Sequence, residues 1–182
     1  MNTEYFSNTF PEIWNRVKDQ VVEKEGVFIA EYREGEIWRT VFILFPGLKE
    51  EEISLLEKKL EVVFPHEYRE FLSHFNGLEF FDFFYIWGKR KEYSEEEYLE
   101  QSFDLARNQG EYRKGWAEDI PSNEIIIAGD GAGNNYFLDT NTGKVIERDI
   151  ESPRKPREFA SFNEFLVKIY LEYLESETES EL

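Results

Sequence analysis

Two apolar stripes joined at a proline constrain this fold more than any other feature of the chain. Ile53, Leu56, Leu60 and Val63 recur three or four residues apart, the spacing of one face of an α-helix. Glu50, Glu51 and Glu52 fall in its opening turn, where carboxylates favour the positive end of the helix dipole. Pro65 breaks this helix and suits the first turn of the next. There Tyr68, Phe71, Leu72 and Phe75 make a second stripe, and Asn76-Gly77 stops it, with Gly77 free to take the left-handed cap conformation. Two consecutive one-sided helices need a sheet to lie on.

The remaining segments supply that sheet. Thr9-Phe10-Pro11-Glu12 has capping-box spacing and opens a first helix carrying Ile13, Val17 and Val21, ended by Gly26. Val27 to Tyr32 and Ile37 to Phe45 read as a hairpin around Arg33-Glu34-Gly35-Glu36, and Pro46-Gly47 closes it. The apolar run Phe80 to Trp87 reads as one buried strand. Ser94-Glu95-Glu96-Glu97 opens a helix with Tyr98, Phe103 and Leu105 on an imperfect apolar face, and Asn108 to Asn123 reads as a loop. Three strands follow as an antiparallel meander: Glu124 to Ala128, Asn135 to Leu138 and Lys144 to Ile150. Pro153 and Pro156 bracket a basic loop. Ser161-Phe162-Asn163-Glu164 caps a last helix with Phe165, Leu166, Ile169 and Tyr173 on one side.

The expected class is α+β: one domain over residues 1–174, with a central, mostly antiparallel sheet and packed helices, and an acidic, frayed tail over 175–182. At 182 residues and 41% hydrophobic, with 17 Phe, 10 Tyr and 4 Trp, the chain can bury a thick core. The absence of cysteine excludes disulfides, thiolate zinc sites and cysteine nucleophiles. No secretory signal is visible and no apolar run approaches the ~20 residues of a membrane helix, so the expected location is the cytoplasm. The formal net charge is −18, from 39 acidic and 21 basic residues. A field of that sign disfavours nucleic acid and membranes as partners and speeds encounter with a basic protein, although it also serves solubility.

Catalytic chemistry finds little support. His66 and His74 stand eight apart on one helix, about 12 Å of rise, too far to share a metal. The glycine loop Gly129-Asp130-Gly131-Ala132-Gly133-Asn134 lacks the Lys-Ser/Thr ending of a phosphate loop, and a strand follows where a helix would be required. Calcium spacing and a terminal Glu are absent from Asp130, Asn134 and Asp139. Turn chemistry explains every residue type in that loop. The reading is a chain without enzymatic activity, cofactor or metal. An enzyme with an unrecognised carboxylate site would show itself by activity lost in Asp130→Ala or Asp139→Ala without unfolding.

In this order the motifs resemble the SUKH superfamily, which includes bacterial immunity proteins and fungal cell-wall synthesis regulators. One part of the resemblance is Ile53, Leu56-Glu57, Leu60, Phe64-Pro65, Tyr68, Phe71-Leu72 and Asn76-Gly77. The other is Ile125-Ile126-Ile127-Ala128 leading into Gly129-Asp130-Gly131-Ala132-Gly133-Asn134, then Asn135-Tyr136-Phe137-Leu138-Asp139. Gly143-Lys144-Val145 and the closing Ser161-Phe162…Phe165-Leu166 helix complete it. Pro65, Asn76, Gly77, Gly129, Asp130, Gly131, Gly133, Asn134 and Asp139 are the structural family residues. The family core would span 46–170, preceded by an N-terminal helix and hairpin over 1–45. Asn134 stands where Asp is common, Glu92 to Asn123 is an expanded insert, and the N-terminal hairpin is more elaborate than the family leads one to expect.

The resemblance implies a protein that binds a cognate toxin domain, a basic nuclease or deaminase, and occludes it, acting as a monomer or weak dimer. The alternative is a regulatory scaffold without a toxin partner. Candidate partner-binding residues are Glu92, Glu95, Glu96, Glu97, Glu100 and Asp104 for charge, with Tyr93, Tyr98 and Trp116 as anchors.

Overall fold

The two one-sided helices lie where their stripes require. Helix α3 (Glu50–Leu60) buries Ile53, Leu56 and Leu60, and α4 (His66–His74) buries Tyr68, Phe71 and Leu72. Glu52 accepts the backbone N–H of Lys49 at the start of α3, closing its first turn. Glu61 ends it in the left-handed conformation. The corner to α4 is stitched by Glu57, which accepts the Phe64 N–H at 2.8 Å and the Arg69 guanidinium at 3.2 Å, while Arg69 also reaches Glu50. Val63 does not join the stripe: the helix has already ended, and its side chain is 76% exposed. Pro65 stands immediately before His66, the first residue of α4.

The computed structural model describes residues 3–24, 27–34, 37–81, 83–89, 104–106, 108–110, 120–149 and 156–180. The chain opens with α1 (Thr3–Thr9) and α2 (Pro11–Val17), continues through β1 (Val21–Lys24), β2 (Val27–Glu34) and β3 (Ile37–Pro46), and reaches α3 and α4. Then follow β4 (Phe75–Phe80), β5 (Phe84–Ile86), β6 (Glu124–Asp130), β7 (Asn134–Asp139), β8 (Val145–Asp149), β9 (Arg157–Phe159) and the final helix α5 (Phe162–Ser180). The nine strands form one sheet in chain order, each antiparallel to the next. The expected α+β class holds.

Several local expectations change. Thr9 is the last residue of α1 and not an N-cap; Phe10 precedes α2 without a side-chain cap bond, and Pro11 takes the first helical position. Val21 belongs to β1, because α2 stops at Val17. The run Phe80 to Trp87 is not one strand: β4 and β5 fold back on each other through a turn in which Phe81 has φ 54°. Within Asn108 to Asn123, residues 108–110 are helical, and Gln109 is buried with its side-chain oxygen accepting the Ile126 N–H. Arg157 starts a ninth strand that the proline-bracketed loop had hidden. Helix α5 continues to Ser180, into the stretch read as tail. Gly26, Gly35, Glu36 and the helix opening at Ser94 lie outside the described residues.

Aromatic rings join the layers. Phe71 and Tyr68 of α4 meet Phe162 at 5.0 and 5.1 Å between ring centres, and Tyr136 of β7 meets Phe165 at 5.0 Å. Phe80 of β4 meets Tyr170 at 5.0 Å. At the other end Phe6 of α1 packs edge-on to Phe75 at 5.4 Å. A fully buried ring of this kind contributes roughly 1.5–3 kcal/mol, so helices and sheet are held mainly by aromatic burial. The start of α5 is capped as its sequence suggests: Ser161 Oγ accepts the Glu164 N–H, and Glu164 accepts the Ala160 N–H. Glu67 of α4 adds a further acceptor for the Asn163 N–H.

Candidate functional site

The glycine loop between β6 and β7 is organised by a single carboxylate. Asp130 Oδ1 accepts the N–H groups of Ala132 at 3.0 Å and Asn134 at 2.9 Å. Its Oδ2 accepts the Asn134 amide at 2.8 Å, the Tyr136 hydroxyl at 3.2 Å and the Tyr173 hydroxyl at 2.8 Å. Five donors on two oxygens leave little room for a cation. The residue types now explain themselves. A short acceptor must follow the strand, small residues must let the chain curl back, and an amide at position 134 can donate where a second carboxylate would repel. A Cβ on Gly131 would come within 2.4 Å of the Phe83 ring, which would have to shift to make room. Burial is the main cause that raises the acid constants of Tyr136 and Tyr173, and the bond to Asp130 adds to it, so both remain protonated donors.

Asn76 and Gly77 act inside the sheet, not at a helix end. Helix α4 stops at His74, and Phe75 already has extended backbone, so the pair falls in β4. The Asn76 amide clamps the strand end beyond β5: Nδ2 donates to the Lys89 carbonyl at 2.5 Å, and Oδ1 accepts the Lys89 N–H at 2.6 Å. Lys89 in turn pairs with Glu52 of α3 at 2.8 Å. Gly77 has φ 96°, and a Cβ there would lie 2.7 Å from the Ile86 carbonyl oxygen. Gly129, near the end of β6, lies under the Trp87 ring.

Asp139 closes β7 with a turn of its own. Its Oδ1 accepts the Asn123 amide at 2.9 Å and the N–H groups of Asn141 and Thr142 at 2.8 and 3.2 Å. Burial pushes its acid constant up, but these bonds together outweigh burial and hold it below the usual carboxylate range. The folded value is therefore lower than the unfolded one. The stability that Asp139 contributes is complete above the unfolded value and is lost as pH falls through the folded value. Asp139→Asn is expected to flatten the fall in stability below about pH 4, as measured by urea denaturation across pH; an unchanged acid limb would refute this. On the neighbouring strand Arg148 pairs with the buried Glu124 at 2.6 Å and lies over the Phe137 ring. Burial raises the Glu124 acid constant, and Arg148 pulls it back.

These residues build structure around a loop, and their chemistry is positioning. Among the described residues no three His, Cys, Asp or Glu side chains are grouped to hold a metal. His66 and His74 sit at opposite ends of α4; His66 is largely exposed and His74 stacks on Tyr5 at 4.0 Å. Of the candidate partner-binding residues, Asp104 is only 7% exposed and forms a bridge with Gly88. Glu92, Tyr93, Glu95, Glu96, Glu97, Tyr98, Glu100 and Trp116 lie outside the described residues. Sequence reasoning missed Tyr173 as a partner of Asp130 and Lys89 as the partner of Asn76. Each is far along the chain from its partner, and no local spacing links them.

A family model matches residues 47–168, the span that contains α3, α4, the Asn76 clamp and the Asp130 loop; its description is SMI1 / KNR4 family (SUKH-1). The chain belongs to the SMI1/KNR4 family. The matched span begins one residue after β3 and ends within α5, so α1, α2 and β1–β3 precede the SMI1/KNR4 region. The chain is also similar to the uncharacterized protein YnaB of Bacillus subtilis (strain 168), 30% identical over 94 residues. That alignment covers 52% of this chain and 51% of the relative, so the chain spans about half the length of the curated relative it matches. The matched span contains the residues that make the clamp, the loop and the turn.

Proposed function

We propose that this chain is an immunity protein: it binds a cognate toxin domain and neutralises it by covering its surface. Membership of the SMI1/KNR4 family carries this reading, and the charge distribution supports it. Arg69, Lys89, Lys144, Arg148, Arg157 and Lys168 are each tied to a carboxylate of the same chain. With these cations neutralised and a net charge of −18, the field that a partner meets is negative. Such a field accelerates association with a basic nuclease or deaminase domain. In this reading Glu92, Glu95, Glu96, Glu97 and Glu100 steer, and Tyr93, Tyr98 and Trp116 anchor. Asp104 is itself buried and forms a β-bridge with Gly88. No helix among the described residues is long and apolar enough to cross a membrane.

The test is co-expression with a candidate toxic domain, sought first in the adjoining genes. Rescue of growth and co-purification of a stable complex are expected, with an association rate that falls as salt is raised. A chain that neither rescues nor binds the domain at micromolar concentration is not its immunity protein. Co-purification with cell-wall synthesis enzymes in that case would move the reading to a regulatory scaffold.

A further inference from the structure

Asn76-Gly77 is the only Asn-Gly pair in the chain. Glycine has no Cβ to crowd its nitrogen, so it is the residue whose backbone N–H most readily attacks the side-chain carbonyl of a preceding asparagine. In an open chain that attack joins Gly77 N to Asn76 Cγ and breaks the Cγ–Nδ2 bond. Ammonia leaves with the proton that the Gly77 nitrogen gives up, and a five-membered succinimide remains. Water then opens the ring at one of its two carbonyls, leaving aspartate or isoaspartate at position 76. The net change is amide plus water to carboxylic acid plus ammonia, with no oxidant or reductant.

The fold keeps the reacting groups apart. The Asn76 amide is engaged at both ends, since Nδ2 donates to the Lys89 carbonyl and Oδ1 accepts the Lys89 N–H. Cγ cannot swing toward the Gly77 nitrogen without breaking both bonds. Gly77 is buried within β4, which excludes the base that must take its proton. The segment gripped by Asn76 is fixed from its other side as well. Trp87 N–H donates to the Ile127 carbonyl, Leu105 N–H donates to the Gly88 carbonyl, and Gly88 forms a bridge with Asp104. Gly88 backs directly onto Asn76: a Cβ there would lie 2.3 Å from Oδ1 and 2.4 Å from the Asn76 carbonyl oxygen.

We propose that Asn76 is a deamidation site gated by the fold: the closed clamp prevents the reaction, opening of β4 from segment 87–89 permits it, and the modified chain cannot re-form the clamp. A carboxylate at position 76 still accepts the Lys89 N–H, but it sets an oxygen against the Lys89 carbonyl oxygen where an N–H stood. Isoaspartate also lengthens the backbone by one atom, which breaks the register of β4 with β3 and β5. Each opening thus carries a chance of irreversible loss, and the chain keeps a one-way record of having opened. The proposal is independent of the immunity reading.

The test follows the peptide that contains position 76 by mass spectrometry, which reads a gain of one mass unit, and by chromatography, which resolves isoaspartate. The full chain is held in warm, mildly alkaline buffer, with and without enough urea to unfold it. Modification is expected to be at least about 30-fold slower in the folded chain, because its rate follows the small open population. Gly88→Ala, whose added carbon displaces Oδ1, is expected to modify about 10-fold faster than the parent in native buffer. If that variant does not fold, the parent in urea below its unfolding midpoint takes its place, and the rate is expected to climb with the open fraction. A folded parent that deamidates at position 76 as fast as the unfolded chain overturns the gate. So does a rate that neither Gly88→Ala nor mild urea raises. Asn76→Asp supplies the product directly and is expected to melt about 5 °C or more below the parent; parent-like melting overturns the one-way step.

Discussion

Asp130→Ala is expected to destabilise the protein by about 3–5 kcal/mol, the largest effect of any single carboxylate replacement outside the ion pairs. The substitution strands five donors at once: two loop N–H groups, the Asn134 amide, and the hydroxyls of Tyr136 and Tyr173. The loop donors can turn to water, but the hydroxyls are part-buried, on rings that pack against Phe84 and, for Tyr136, also Phe165. Each hydrogen bond to a charged acceptor is worth roughly 1.5–3 kcal/mol before such relaxation, so the net loss falls well short of the sum. Asp130→Asn keeps the acceptor for the loop N–H groups and lets the hydroxyls rotate to receive its amide, so a milder loss of about 1–2 kcal/mol is expected. Tyr173→Phe isolates the link to α5 and is expected to lose about 1 kcal/mol. Urea denaturation measures all three. A loss below 1 kcal/mol for Asp130→Ala would mean that the loop is held by its backbone alone.

Gly77→Ala is expected to cost about 3 kcal/mol or more, from two separate causes. Its φ of 96° is a conformation that a Cβ disfavours, and that Cβ would press on the Ile86 carbonyl oxygen at 2.7 Å. Both atoms belong to backbone locked in paired strands, so neither can yield cheaply. Gly133→Ala separates the causes: φ is 90° there, but nothing lies within 4 Å of the added carbon. That variant is expected to lose only the conformational part, about 1 kcal/mol. Gly88→Ala tests the opposite limb, where the Cβ would lie 2.3 Å from the Asn76 side-chain oxygen and displace the clamp on Lys89. Equal losses for Gly77→Ala and Gly133→Ala would show that strand β4 moves aside freely.

The acidity of the chain has two uses that composition cannot separate. Glu52, Glu57 and Glu67 bind backbone and side-chain donors around α3, α4 and α5, and Asp130 and Asp139 hold turns. Reversing charge at these positions would unfold elements before it tested any partner. Charge reversals that test the proposed toxin contact belong on outward carboxylates such as Glu51, which is exposed on α3.

Short-range patterns were enough to specify α3 and α4, the capped start of α5, the N-terminal hairpin and the β6–β7–β8 meander. In each, the apolar spacing, cap or turn residue lies within a few positions of the element it shapes. The same locality explains the errors. Phe75 continues the helical stripe and Asn76-Gly77 reads as its stop, yet the chain is already a strand at Phe75, because β3 and β5 offer backbone partners that no local pattern reveals. Strand β9 is three residues long and exists only because β8 lies beside it. The residues of the clamp and the loop were legible in the sequence, but their work was not. Only the tertiary structure brings Tyr173 to Asp130 across 43 positions and sets Lys89 in the grip of Asn76. Hydrogen bonds and strand pairing between distant segments depend on where the chain returns in space, and one-dimensional spacing carries no record of that return.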